Sequence, residues 1–203
     1  YAAHEIPDNA FAYNTTEGKS SLVHFVFPEI VYRIGVASFN ATSLSGALII
    51  PADVVEIGQY AFNKTLISSI EMSNKLKVIG NGAFQGTQYL QCSIFLPDTL
   101  ESIGDRCFQE SAINGEVVIP TSITKIPRQC FENSDISSII FNDNIKIIEF
   151  NSFATSKLSG TIVLPKNLEV IEANAFSLCD VTGELVIPKS LLSIGTQAFG
   201  SCD

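Results

Sequence analysis

Positive charge is scarce in this 203-residue chain. Twelve Lys and Arg stand against 21 Asp and Glu, for a net charge of −9 and a pI near 4.6. Such a surface argues against nucleic acid and anionic membrane as partners, because both are held chiefly by Lys and Arg. Histidine is scarcer still, with only His4 and His24. The five cysteines (Cys92, Cys107, Cys130, Cys179, Cys202) include no Cys-x-x-Cys pair, which argues against zinc. There is no phosphate loop of the G-x-x-x-x-G-K-[ST] kind and no apolar run long enough to span a bilayer. No metal and no cofactor are therefore expected. A secretory leader pattern and an initiating methionine are both missing at Tyr1, so the expectation is a processed or excised piece.

What the chain has is apolar side chains, 46% of the total against 16% charged, enough to exclude disorder and to fill one core. They recur. The hexapeptide Ile-Gly-x-x-Ala-Phe, or a close variant, ends at Phe11, Phe39, Phe62, Phe84, Phe108, Phe131, Phe153, Phe176 and Phe199. The steps are 28, 23, 22, 24, 23, 22, 23 and 23 residues, in the leucine-rich-repeat range. One domain, 1–203, of about eight to nine repeats is expected.

The unit that opens at Gly183 shows the local logic. Leu185 and Ile187 alternate with Glu184 and Val186, a strand signal of period two. Pro188 ends the strand, since it has no N–H for a ladder. Leu191 and Ile194 follow three apart, and Gly195 admits a tight turn before Ala198 and Phe199. Stacking the units produces columns. Phe25, Leu48, Ile70, Ile94, Val117, Ile139, Ile162 and Leu185 form one wholly apolar column, and Phe27, Ile50, Met72, Leu96, Ile119, Phe141, Leu164 and Ile187 form its neighbour. Both are assigned to the core. The phenylalanines form an aromatic spine, and a small residue precedes each. Three residues after each but the first, which has Asn14, stands a hydroxyl or thiol, such as Thr42, Thr65, Ser111 or Cys179, placed to satisfy buried backbone. "ISSIEM" (67–72) and "ISSIIF" (136–141) match L-x-x-L-x-L without gaps, whereas "LSGALII" (44–50) carries one extra residue at the strand entrance.

The consensus L/V-x-I-P-x-x-L-x-x-I-G-x-x-A-F-x-x-C/S/T resembles the BspA-like leucine-rich-repeat family, surface and secreted proteins of host-associated bacteria and protists. The resemblance implies a curved, right-handed solenoid with short parallel strands on its concave face and extended segments and short helical turns elsewhere. It also implies surface adhesion to host extracellular-matrix or cell-surface proteins. Pro7, Pro127, Glu149 and Glu172 replace the anchor glycine, which puts the local turn in doubt but not the fold.

Chemistry is sparse. Cys107 and Cys130 share a column in adjacent repeats, as do Cys179 and Cys202, near enough for disulfides. The favoured reading is that cysteine serves as a small buried residue there. Three sequons occur, at Asn14, Asn40 and Asn63. They are glycosylation candidates in a secreted eukaryotic protein, but Thr42 and Thr65 would create two of them merely by serving the hydroxyl column. His24 has Ala47 and Ser69 as neighbours and no orienting acid, so no catalytic residue is expected.

The outward face of the strands is the candidate site. One column, His24, Ala47, Ser69, Ser93, Glu116, Ser138, Thr161 and Glu184, is small and polar. The other, Val26, Ile49, Glu71, Phe95, Val118, Ile140, Val163 and Val186, is apolar at seven of eight positions. An exposed apolar stripe marks a partner surface, although β-propensity alone also favours Val and Ile on strands. A protein-binding solenoid is the leading reading; a spacer that presents another module is the alternative, and an enzyme a distant third. Repeat arrays need caps, and none is visible at either end, so further repeats are expected beyond Asp203.

Overall fold

The computed structural model describes residues 4–12 and 21–202, which fold as a parallel β-solenoid. Strands β1 (Glu5–Ile6), β2 (Arg33–Ile34), β4 (Glu56–Ile57), β6 (Val78–Ile79) and β7 (Ser102–Ile103) form one ladder. Strands β9 (Lys125–Ile126), β11 (Ile147–Ile148), β13 (Val170–Ile171) and β15 (Ser193–Ile194) form another. Each carries the anchor isoleucine, and register runs from isoleucine to isoleucine, as in Ile34↔Ile57 and Ile148↔Ile171. A second face carries the leucine-rich strands in parallel pairs: β3 (Ser45–Ile49) with β5 (Leu66–Glu71), β8 (Asn114–Val118) with β10 (Asp135–Ile140), and β12 (Ser159–Gly160) with β14 (Asp180–Val181). The two gapless segments are thus the two longest strands. The register shifts between Gly46 and Ala47 opposite Ile67 and Ser69, and between Ile136 and Ser138, so Ser68 and Ser137 are bulged and units of unequal length stay aligned. Gly46, with φ +80°, and Gly115, with φ +77°, adopt the left-handed conformation at the entrances of β3 and β8.

Three expectations need correcting. Leu185–Ile187 is not a strand; that turn pairs through β14, with Asp180 opposite Ser159. Ile187, assigned to the core, is 45% exposed, and Ile194 is exposed with it, because these side chains have a neighbouring turn on one side only. The short helical turns are also absent, with no helix among the described residues. The segment around each phenylalanine is a run of β-turns instead. In one turn Ala61, Asn63 and Thr65 donate back three residues, to the carbonyls of Gly58, Tyr60 and Phe62, while Tyr60, Phe62 and Lys64 donate to Asn81, Ala83 and Gln85 of the next turn. Alternate amides thus face alternate directions, and a left-handed residue is needed both two before and two after the phenylalanine. Tyr60 (φ 54°) and Lys64 (φ 55°) fill these places, as do Arg106 with Glu110 and Gln129 with Asn133. Each non-glycine there costs about 1 kcal/mol, offset by the hydrogen bonds between turns.

The core is a set of stacked columns. Phe39, Phe62, Phe84, Phe108, Phe131, Phe153 and Phe176 are fully buried. Their rings lie nearly parallel, with centroids 5.2 Å apart at Phe39–Phe62, 5.6 Å at Phe108–Phe131 and 5.1 Å at Phe153–Phe176, an offset stack. Burial contributes about 1.5–3 kcal/mol per ring. The small residues before them let the backbones approach this closely. The hydroxyl column does what its position predicts: Thr42, Thr65, Thr87, Ser111 and Ser134 donate to the phenylalanine carbonyl of their own turn at 2.7–3.0 Å. Cys179 instead donates to Phe153 of the previous turn, at 3.0 Å.

The isoleucine ladder breaks once. Gly35, Gly58, Gly80, Gly104, Glu149, Glu172 and Gly195 each donate to the isoleucine carbonyl of the turn before. Pro127 holds the same position above Ile103 and has no N–H to give. The neighbouring bond fails too: Lys77, Glu101, Lys146 and Glu169 each donate to the preceding turn, and Thr124 does not. The two glutamates in the glycine column keep the turn intact, because Glu149 accepts from the Arg128 amide and Glu172 from the Phe150 amide.

Candidate functional site

Strand geometry sends neighbouring side chains to opposite faces, so each leucine-rich strand sorts its residues unaided. In β3, Leu48 and the following Ile50 are buried while Ile49 between them is 63% exposed. In β8, Val117 and the following Ile119 are buried while Val118 is exposed. Register then lines the exposed residues up, with Ile49 opposite Glu71 and Val118 opposite Ile140. Val26, Phe95, Val163 and Val186 are exposed as well, Val26 and Phe95 at 90% and 84%. All eight residues expected in the apolar column are therefore at the surface.

The column beside it holds Ala47 opposite Ser69 and Glu116 opposite Ser138. The Ser138 hydroxyl reaches Glu116 Oε2 at 3.5 Å. Neither column contains Lys or Arg, whereas Glu71, Glu116 and Glu184 supply carboxylates, so the face is apolar with a negative field. Most cations lie elsewhere, tied between adjacent turns: Arg33 to Asp8 and Glu56, Lys77 to Glu101, Lys125 to Glu149, Lys146 to Glu169. The amide of Val36, together with Arg33, holds the Asp8 carboxyl below the usual carboxylate range. Exposed pairs of this kind contribute little, because solvent screens them.

Two openings interrupt the face. One, of about 600 Å³, lies between the segment bearing His24 and Val26 and strand β3. The other, of about 280 Å³, lies between Ser93–Leu96 and β8, lined by Ser93, Ile94, Phe95, Leu96, Glu116 and Val118. Sequence columns do not show these openings, because they depend on which turns fail to pair. Pro127 in the glycine column is the one sequence signal near the second.

The remaining candidates fall away from this face. Among the described residues no group of His, Cys, Asp and Glu is placed to hold a metal ion, and no helix is long and apolar enough to cross a membrane. His24 is exposed. Cys92, Cys107, Cys130 and Cys179 are free thiols; burial raises the thiol pKa of Cys107 and Cys130, and pushes that of Cys179 up to about 11. Asn14 lies outside the described residues. Asn63 Nδ2 donates to Asn40 Oδ1 at 2.7 Å, so a glycan on Asn63 would have to displace that bond. Gln85 donates to Gln109, and Gln109 to Glu132, in the same column. Sequence reading missed this amide ladder, although Asn, Asn, Gln, Gln, Glu directly after successive phenylalanines was its signal.

Comparison with known proteins agrees with the geometry. A family model described as a BspA-type leucine-rich-repeat region (six copies) matches residues 4–134 and 89–203. No curated protein matches the chain significantly. Among solved structures, the chain is similar to a leucine-rich-repeat protein from Eubacterium ventriosum, with 21% identity and a TM-score of 0.66 over 97% of this chain and 57% of that one. It is also similar to a leucine-rich cell-surface protein from Faecalibacterium prausnitzii, with 21% identity and a TM-score of 0.54 over 77% and 45%. The chain spans about half the length of these two proteins.

Proposed function

The chain belongs to the BspA-type leucine-rich-repeat family, and from that premise we propose that it is a non-enzymatic protein-binding solenoid, a cell-surface or secreted adhesin for host or extracellular proteins. The observation that carries this reading is the stripe of Val26, Ile49, Phe95, Val118, Ile140, Val163 and Val186, exposed on one face although each side chain points away from the core. Folding does not require apolar residues there, and solvent disfavours a contiguous apolar patch of this kind. A neighbour in fold is described as a cell-surface protein, which supports the location. Among the described residues the face has no nucleophile–base–acid set, which supports a binding rather than a catalytic role.

Biolayer interferometry of the immobilised chain against purified extracellular-matrix and cell-surface proteins tests this. Saturable binding of at least one of them, lost when the stripe is made polar, is expected. Binding of none, or binding untouched by stripe substitutions, would favour a spacer that presents another module.

A further inference from the structure

The opening between Ser93–Leu96 and β8 combines three features. Its rim is apolar: Phe95 is the most exposed aromatic on the stripe and Val118 stands across from it, while Ile94 and Leu96 line the interior. Its wall offers unsatisfied donors. Asn114 donates to Cys92, and Ile119 donates the other way, to Ile140 in the turn of β10. Amides along a strand alternate sides, so those of Glu116 and Val118 point with Asn114 into the opening, where no carbonyl among the described residues receives them. Unpaired amides in a partly enclosed site seek an acceptor. Its charge is negative: Glu116 has no ion pair among the described residues, neither outward column holds Lys or Arg, and Lys157, at the edge of this face, is already paired with Asp135.

The opening sits at the junction where the isoleucine ladder also fails. Thr124 and Pro127 contribute no bond to the preceding turn, and the two blocks are joined there mainly by Arg106, Phe108 and Glu110 donating to Arg128, Cys130 and Glu132.

We propose that this crevice is the anchoring subsite of the strand face, and that it takes an extended peptide segment of a protein partner in which an aliphatic side chain adjoins Lys or Arg. The proposal rests on the reading of this face as a protein-binding surface. The aliphatic side chain enters between Phe95 and Val118, peptide carbonyls accept from the Glu116 and Val118 amides, and the cation meets the Glu116 carboxylate. An acidic ligand is disfavoured by that same carboxylate, although the amides alone would accept it.

The test uses two pools of eight-residue synthetic peptides with a central leucine, flanked by Lys or Arg in one and by Glu in the other. Amide shifts of the isotope-labelled chain are followed by NMR. The basic pool is expected to move the resonances of Ser93–Leu96, Glu116 and Val118, and the acidic pool is not. Affinity for the basic pool should fall at least about tenfold in Glu116→Lys and less in Glu116→Gln, and should be unchanged in Leu192→Ser, beside β15 and off the stripe; both sites are exposed, and melting curves check the fold. Equal response to both pools would overturn the proposal. So would shifts centred on Ile49 or Val163, which would leave the wider face as a binding surface. Silence of both pools while an intact extracellular protein binds the stripe would overturn the crevice alone. Silence of both pools with no protein bound would overturn the crevice and the binding reading together.

Discussion

Pro127 stands over Ile103 at the one place in the isoleucine ladder where the upper residue has no amide to offer the carbonyl below. Every other described turn boundary there is bridged, by Gly35 to Ile6, Gly58 to Ile34, and so on to Gly195 with Ile171. One imino acid therefore divides a nine-strand ladder into sheets of five and four. Thr124 and Lys146 are both exposed, but only the Lys146 amide is bonded to the turn before it. Hydrogen exchange should therefore be at least about tenfold faster at Thr124 than at Lys146, the ratio that corresponds to about 1.4 kcal/mol of local opening. Substituting Pro127→Glu, the residue type its ladder neighbours Glu149 and Glu172 carry, should slow Thr124. Equal protection in the parent chain would contradict the broken ladder.

The spine should carry stability. Phe131 is fully buried between Phe108 and Phe153, so Phe131→Ala should cost about 3–5 kcal/mol in urea unfolding. Lys125→Ala, which removes one exposed ion pair with Glu149, should cost less than about 1 kcal/mol. Equal costs would contradict the stacking account.

The repeat period, the core columns, the hydroxyl column and the exposed stripe were all legible in the sequence, because each depends only on which residue types recur at a fixed spacing. The conformation of the turn wall was not. Gly82, Gly86, Asn133, Asn151 and Asn174 hold some of its left-handed positions, but others are held by Ala37, Tyr60, Arg106, Gln129 and Leu178, residues without a turn signature, so the Ala-Phe segment reads as helical. Tertiary hydrogen bonding between turns overrides local preference there. Continuity of the strand face was illegible for a related reason: whether Ser93–Leu96 pairs with its neighbours depends on how successive turns sit, and the apolar pattern of "SIFL" equals that of segments that do pair.

Leu178 gives a direct test of that strain. Its φ is 59° and its side chain is exposed, while its amide bonds to Gly200. Leu178→Gly should stabilise the fold by up to about 1 kcal/mol, relief of the left-handed cost less the added freedom of the unfolded chain. A loss above about 1 kcal/mol in thermal unfolding would show that the side chain, not the backbone, matters there.

The buried thiols set a pH dependence. Burial raises the Cys179 pKa from 9.0 to about 11 in the folded chain. The folded state therefore keeps its proton where the unfolded state releases it, and stability falls as pH rises from about 9 towards 11. Below pH 9 the contribution is fully present. At pH 8 native Cys107, Cys130 and Cys179 should resist iodoacetamide, while partly exposed Cys92 reacts. Rapid native alkylation of Cys130 would contradict its burial.

The central claim is that the outward apolar stripe binds protein. Its most direct test is the double variant Phe95→Ser with Ile140→Ser, compared with the parent chain for affinity to a protein partner and for melting temperature. Both residues are exposed, so removing them leaves no cavity. The account predicts a melting temperature within about 2 °C of the parent and affinity weakened by at least about 2 kcal/mol. Unchanged affinity in a folded double variant would contradict it, and would move the contact to the isoleucine face or the loops.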